Sequence, residues 1–161
     1  MKRIVVTGGN KGIGLAIVKR LLKEFSDTHV FLGSRNLERG ETAIKQIVAE
    51  LGELVKSRLE LLEIDVTSHE SIQRAVETVK KFLGGTTSLL YGLVNNAGGG
   101  VDGMSGKEII DLNTFSVYRV TEAFLPLIQE KGIIIFIKII RLFMPVYRNN
   151  FLLNIEVPLA D

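Results

Sequence analysis

The sequence predicts an α/β fold, a doubly wound parallel sheet with helices on both faces. Three observations predict it. Apolar β-type runs alternate with helix-period segments along the chain, which is the order of a parallel sheet with right-handed crossovers. The runs at residues 4–6 and 133–137 are apolar throughout, as strands covered on both faces are. The unusual segments, rich in Gly, Asn and Asp, fall where strands end.

The first strand, Ile4-Val5-Val6, runs into Thr7-Gly8-Gly9-Asn10-Lys11-Gly12-Ile13-Gly14. Glycine permits backbone angles that a Cβ forbids and lets another group approach the main chain. A helix follows over residues 15–25, with Leu15, Ala16, Val18, Leu21, Leu22 and Phe25 as its apolar stripe. Its first turn has unpaired N–H groups and the positive end of the helix dipole. A strand aimed at such a turn is a phosphate site.

Residues 29–34 read as the second strand and residues 37–55 as the second helix, its buried side lined by Ala43, Ile44, Ile47, Val48 and Leu51. Residues 58–66 form the third strand. Thr67 or Ser68 caps a third helix, with Ile72, Ala75, Val76, Val79 and Phe82 at helical spacing. After a loop at residues 84–88, residues 89–94 form the fourth strand, ending in Asn95-Asn96-Ala97-Gly98-Gly99-Gly100. A long helix spans residues 107–129, bent near Pro126, and a fifth strand spans residues 132–137. Ligands of such sheets bind beyond the carboxyl ends of the strands, where strand order reverses. Thr7 to Gly14, Ser34-Arg35, Asp65-Val66 and Asn95 to Gly98 all fall on that rim, so the fold is Rossmann-like and the rim is the candidate site. Residues 1–137 form the expected dinucleotide-binding domain and residues 138–161 a divergent tail with no clear period.

Composition narrows the class. The chain has 161 residues, enough for one domain with a core. A net charge of +2 gives no reason to expect a nucleic-acid partner. Without cysteine there is no disulfide or thiolate metal site, and the two histidines suggest no metal. No stretch reaches the roughly 20 apolar residues of a membrane span. Residues 133–144 come nearest and carry Lys138 and Arg141. The basic start Met1-Lys2-Arg3 leads into too short an apolar run for a signal peptide. A cytoplasmic protein with no membrane partner is the expectation; the oligomeric state is left open.

Taken together, these motifs resemble the short-chain dehydrogenase/reductase family, and within it the NADPH-dependent carbonyl reductases. The glycine motif Thr7 to Ala16, the pair Asp65-Val66, the run Asn95-Asn96-Ala97-Gly98, and Asn113 in the long helix carry the resemblance, over about residues 1–132. It implies a dinucleotide gripped by Gly8, Asn10, Lys11, Gly12, Ile13 and Gly14. It also implies an adenine contact at Asp65 and Val66, support from Asn95, Asn96, Ala97 and Gly98, an active-site Asn113, and a small-molecule carbonyl substrate.

The second strand ends in Ser34-Arg35 with no acidic residue. A carboxylate there would bond a ribose diol and repel a 2′-phosphate. Arg35 instead offers a fork of phosphate donors, and Lys11 adds a second charge, so NADP(H) is favoured over NAD(H). Read without the resemblance, Arg35 and Lys11 also fit solvated surface charges, Asp65 a turn cap, and Asn113 a plain helix residue.

Set beside the family it resembles, the sheet is expected to be incomplete at its C-terminal side, and the family's chemistry uses a serine after the fifth strand and a Tyr-x-x-x-Lys. Here residues 133–140 read Ile-Ile-Ile-Phe-Ile-Lys-Ile-Ile. Tyr91, Tyr118 and Tyr147 are followed four residues later by Asn95, Glu122 and Phe151. Three readings follow: a carbonyl reductase by ancestry that this chain cannot complete, a noncatalytic NADP(H)-binding module, or a truncated product with an exposed sheet edge.

Overall fold

The computed structural model of the chain describes residues 1–85, 89–99 and 103–137. The expected tail at 138–161, with Tyr147, and parts of the loops at 84–88 and 98–107 lie outside the described residues.

The strands are β1 (Lys2–Val6), β2 (Thr28–Ser34), β3 (Leu59–Glu63), β4 (Leu90–Asn95) and β5 (Ile128–Phe136). Between them lie α1 (Gly12–Glu24), α2 (Leu37–Leu51), α3 (His69–Phe82), α4 (Gly106–Ile110) and α5 (Ser116–Phe124). The strands form one sheet in the order β3-β2-β1-β4-β5, every neighbouring pair parallel. The chain moves outward from β1 to β3, then returns to the other side of β1. The order therefore reverses between β1 and β4, and a crevice opens at their carboxyl ends.

Alternation along β1 explains the two cores. Val5 points to one face, with Phe31, Ile72, Val79, Leu93, Val120 and Phe124. Ile4 and Val6 point to the other, with Val18, Leu22, Val30, Leu32 and Ile47. Each such side chain, fully buried, is worth ~1.5–3 kcal/mol of transfer free energy. These layers fix the strand ends, and so the rim, to within side-chain packing.

Several boundaries differ from the sequence expectation. The second helix ends at Leu51, where Gly52 adopts φ 89°, and residues Glu53–Arg58 form a 3-10 turn. In α1 the stripe is narrower than expected: Val18 and Leu22 are buried, while Ala16 and Phe25 are exposed. Ser68, not Thr67, caps α3, its side chain accepting from the Ser71 amide. The long helix is three pieces, with a π turn at Asp111–Phe115 between α4 and α5. It ends in a 3-10 turn containing Pro126, and β5 begins at Ile128, so Gln129 is in the strand. A register shift against β4 between Leu90 and Gly92 absorbs the extra residues.

His29 is 4% exposed, its ring between Phe31 and Phe82 at centroid distances of 5.0 and 4.6 Å. Burial, and then the charges of Arg3 and Arg58, hold its imidazole below the ordinary value.

Candidate functional site

The crevice is organised by Thr7, at 1% exposure. Its backbone N–H and its hydroxyl both donate to the Val94 carbonyl, at 3.0 and 3.3 Å. The hydroxyl oxygen accepts from the amides of Asn96 and Ala97, at 3.0 and 2.9 Å. The Asn96 side-chain amide donates back to the carbonyls of Thr7 and Gly8 at 2.9 and 3.2 Å. The ends of β1 and β4 are thus stitched together at the switch point.

Gly8 leaves this knot with φ 64°, and Gly12 enters α1 with φ 55°. A Cβ on Gly14 would land on the Gly8 carbonyl and the Asn96 side chain, so only glycine lets α1 sit this close. The first turn of α1 has no side-chain cap and no acidic residue. Gly12 is exposed, with open space where a Cβ would be, and Ile13 is 45% exposed. Unpaired N–H groups, positive dipole and open glycine backbone together fit a pyrophosphate. Asn10 is half-buried in the turn, and Lys11 is exposed at the N-cap position.

Arg35 follows β2 directly, is exposed, and has no hydrogen bond or ion pair among the described residues. The Lys11 ammonium is equally without a partner there. Beside Arg35, Ser34 and Asn36 close a small turn, and Asn36 caps α2 by accepting from the Arg39 amide at 2.8 Å. One Asp65 carboxylate oxygen holds a turn, accepting from the Thr67 amide at 2.9 Å and the Thr67 hydroxyl at 2.7 Å. The Val66 side chain is buried in the core, so it offers a ligand only its main chain.

Asn95 is buried and donates to the Thr121 hydroxyl on α5 at 3.0 Å. Asn113 lies in the π turn. Its amide donates to the Ile109 and Gly99 carbonyls at 2.9 and 3.2 Å, and its oxygen accepts from the Gly99 amide at 3.2 Å. It is tied to the loop after β4, not loose on a helix face, and a Cβ on Gly98 would press to 2.8 Å from its oxygen. The structure therefore gathers Gly8 to Gly14 with Asn95 to Gly98 and Asn113, and places Arg35 and Asp65 at the ends of neighbouring strands. Sequence reasoning put Thr7 on the rim without giving its side chain a role, and left Thr121 out of the site. A Thr between a β run and a glycine was the only available signal for the first; nothing local marks the second.

Among the described residues no group of His, Cys, Asp or Glu is placed to hold a metal ion, and no helix is long and apolar enough to cross a membrane.

A family model described as short chain dehydrogenase matches residues 2–150. The chain belongs to that family. The match runs past residue 132, where the motif resemblance stops. The chain is 36% identical over 135 residues to carbonyl reductase (NADPH) 1 of Homo sapiens, covering 80% of this chain and 45% of that protein. It is 34% identical over 137 residues to mitochondrial D-beta-hydroxybutyrate dehydrogenase of Mus musculus, covering 80% and 38%. Among solved structures it resembles menthone neomenthol reductase from Mentha piperita, with TM-score 0.73, 27% identity, and 84% and 60% coverage. It also resembles an NADPH-bound carbonyl reductase from chicken fatty liver, with TM-score 0.63, 28% identity, and 79% and 48% coverage. The chain spans 38% to 50% of the length of the first curated relatives it matches.

Proposed function

We propose that residues 1–137 are the dinucleotide-holding half of an oxidoreductase of carbonyl compounds, and that they bind NADP(H) in preference to NAD(H). The uncapped, acid-free first turn of α1, set among glycines at the sheet's switch point, carries this reading. Gly8, Asn10, Lys11, Gly12, Ile13 and Gly14 surround the pyrophosphate. Arg35 and Lys11, cations with no partner among the described residues, hold the 2′-phosphate. The free oxygen of the Asp65 carboxylate and the Val66 main chain face the adenine. Asn95, Asn96, Ala97 and Gly98 fix the β4 end, and Asn113 stands at the reacting end. Bound there, the cofactor supplies hydride. Absence of cysteine suits a reducing setting such as the cytoplasm.

The sequence contains no Tyr-x-x-x-Lys to deliver a proton to a carbonyl oxygen. We therefore expect cofactor binding without turnover. Fluorescence titration with NADPH and NADH tests the reading. Arg35→Ala is expected to weaken NADPH by about tenfold, ~1.4 kcal/mol, and to leave NADH unchanged. No binding of either nucleotide would remove the proposal. Oxidation of NADPH in the presence of a quinone or aldehyde would overturn the expected inactivity.

A further inference from the structure

The π turn at Asp111–Phe115 holds a second arrangement that the cofactor site does not account for. Its wide turn is closed by the Ser116 amide bonding the Asp111 carbonyl, five residues back. Two main-chain carbonyls around it accept from side chains: Asn113 donates to Ile109, and the buried Ser116 hydroxyl donates to Leu112. Across it, Arg119 grips Asp111 as a fork, both N···O distances 2.9 Å.

The spacing of that pair is the informative part. In an unbroken α-helix, residues i and i+7 share a stripe, because 3.6 residues make a turn. A π turn fits one extra residue. Across it, i+8 takes the place of i+7, so Asp111 and Arg119 align only because the turn is wide. If the segment tightened to regular α-helix, Arg119 would move off the Asp111 stripe by about 100°. α5 is anchored, with Val120 and Phe124 fully buried, so the swing would fall on the part of the helix that carries Asn113. Lys107 lies one turn before Asp111 and adds its charge, yet the hydrogen bonds go to Arg119. The fork holds the Asp111 carboxyl below the usual range, so it persists into mild acid. The Arg119 Nε is buried and has no hydrogen-bond partner, which leaves the two terminal nitrogens to serve the fork.

We infer that Asp111 and Arg119 are positioning residues: their ion pair latches the π turn open and so aims Asn113 at Gly98 and Gly99. Among the described residues neither side chain hydrogen-bonds a crevice residue. The value of that aim for cofactor chemistry rests on the function proposed above; the latch itself does not.

The test is nuclear magnetic resonance of the full chain without nucleotide, which separates it from the cofactor titration. It follows the Asn113 side-chain amide and the exchange rate of the Gly99 amide. Arg119→Met and the near-isosteric Asp111→Asn are each expected to move the Asn113 signals toward those of a free side chain. Each should speed Gly99 exchange by about tenfold while β1 and β4 amides hold. Exchanging the two residues, Asp111→Arg with Arg119→Asp, should restore both readouts, and Lys107→Met should change neither. Unmoved Asn113 signals in the single variants, a uniform rise in exchange across the sheet, or failure of the exchanged pair to restore them would each overturn the latch.

Discussion

The hydroxyl of Thr7 donates one bond and accepts two, and each partner belongs to the end of β4. Valine matches threonine in shape and offers none of these. Thr7→Val leaves the half-buried Ala97 amide facing an apolar group, while the Asn96 amide keeps its bond to the Val94 carbonyl, and an orphaned amide costs about 1–3 kcal/mol. The expected result is an unfolding free energy lowered by that order, seen as a lower urea midpoint, and weaker NADPH binding, since the crevice wall loosens. An unchanged midpoint would show that water replaces the hydroxyl. His29 gives a pH dependence. Its folded-state pKa lies below the ordinary 6.5. The unfolded chain therefore binds the proton first as pH falls, so His29's contribution is complete above about 6.5 and is lost in more acid solution. Thermal midpoints should fall between about pH 7 and pH 5, and His29→Phe, which keeps the stack on Phe31 and Phe82, should flatten that segment. The rim positions of the glycines, Arg35 and Asn95 to Gly98 were legible in the sequence because each group ends or directly follows an apolar strand run. The roles of Thr7 and Thr121 were not, because each depends on a strand or helix that only the folded sheet brings beside it.

Elements were legible where one period dominates. The stripe Ile72, Ala75, Val76, Val79 and Phe82 marked α3; the structure buries the first four and leaves Phe82, at the helix end, exposed. Its start was ambiguous between two hydroxyl residues, and local side-chain bonding decided. Thr67 binds Asp65, leaving Ser68 to accept from the Ser71 amide at 3.3 Å. Ser68→Ala is expected to lower stability by about 1 kcal/mol, while Thr67→Ala should disturb the Asp65 turn instead of the helix. Denaturant melts of the two variants, with helix content by circular dichroism, distinguish these effects. The end of the last helix was misread for a different reason. Residues 107–129 keep an apolar helical rhythm through Leu127, and nothing after it breaks a helix before Gly132. The sheet claims Ile128 nonetheless, pairing it with Leu90. The π turn was equally invisible, since its evidence is an eight-residue ion pair that looks like two scattered surface charges.

At the scale of the molecule, strand order places β5 at one margin of the sheet and β3 at the other. The two margins differ in chemistry. β3 reads Leu-Glu-Leu-Leu-Glu, with Glu60 and Glu63 exposed, and charge on an edge discourages pairing with another chain. β5 carries Ile133, Ile134, Ile135 and Phe136 in succession, none of them buried, and among the described residues no strand pairs with its outer side. An apolar edge with free N–H and C=O groups is a template for association. The chain is therefore expected to associate with rising concentration, seen as a growing weight-average mass in sedimentation. Ile133→Lys, a charge placed at a side chain already 36% exposed, should suppress that growth without abolishing the cooperative melt. A chain that stays monomeric at high concentration would show that its β5 edge is covered, and would make the sheet, together with its cofactor crevice, self-sufficient.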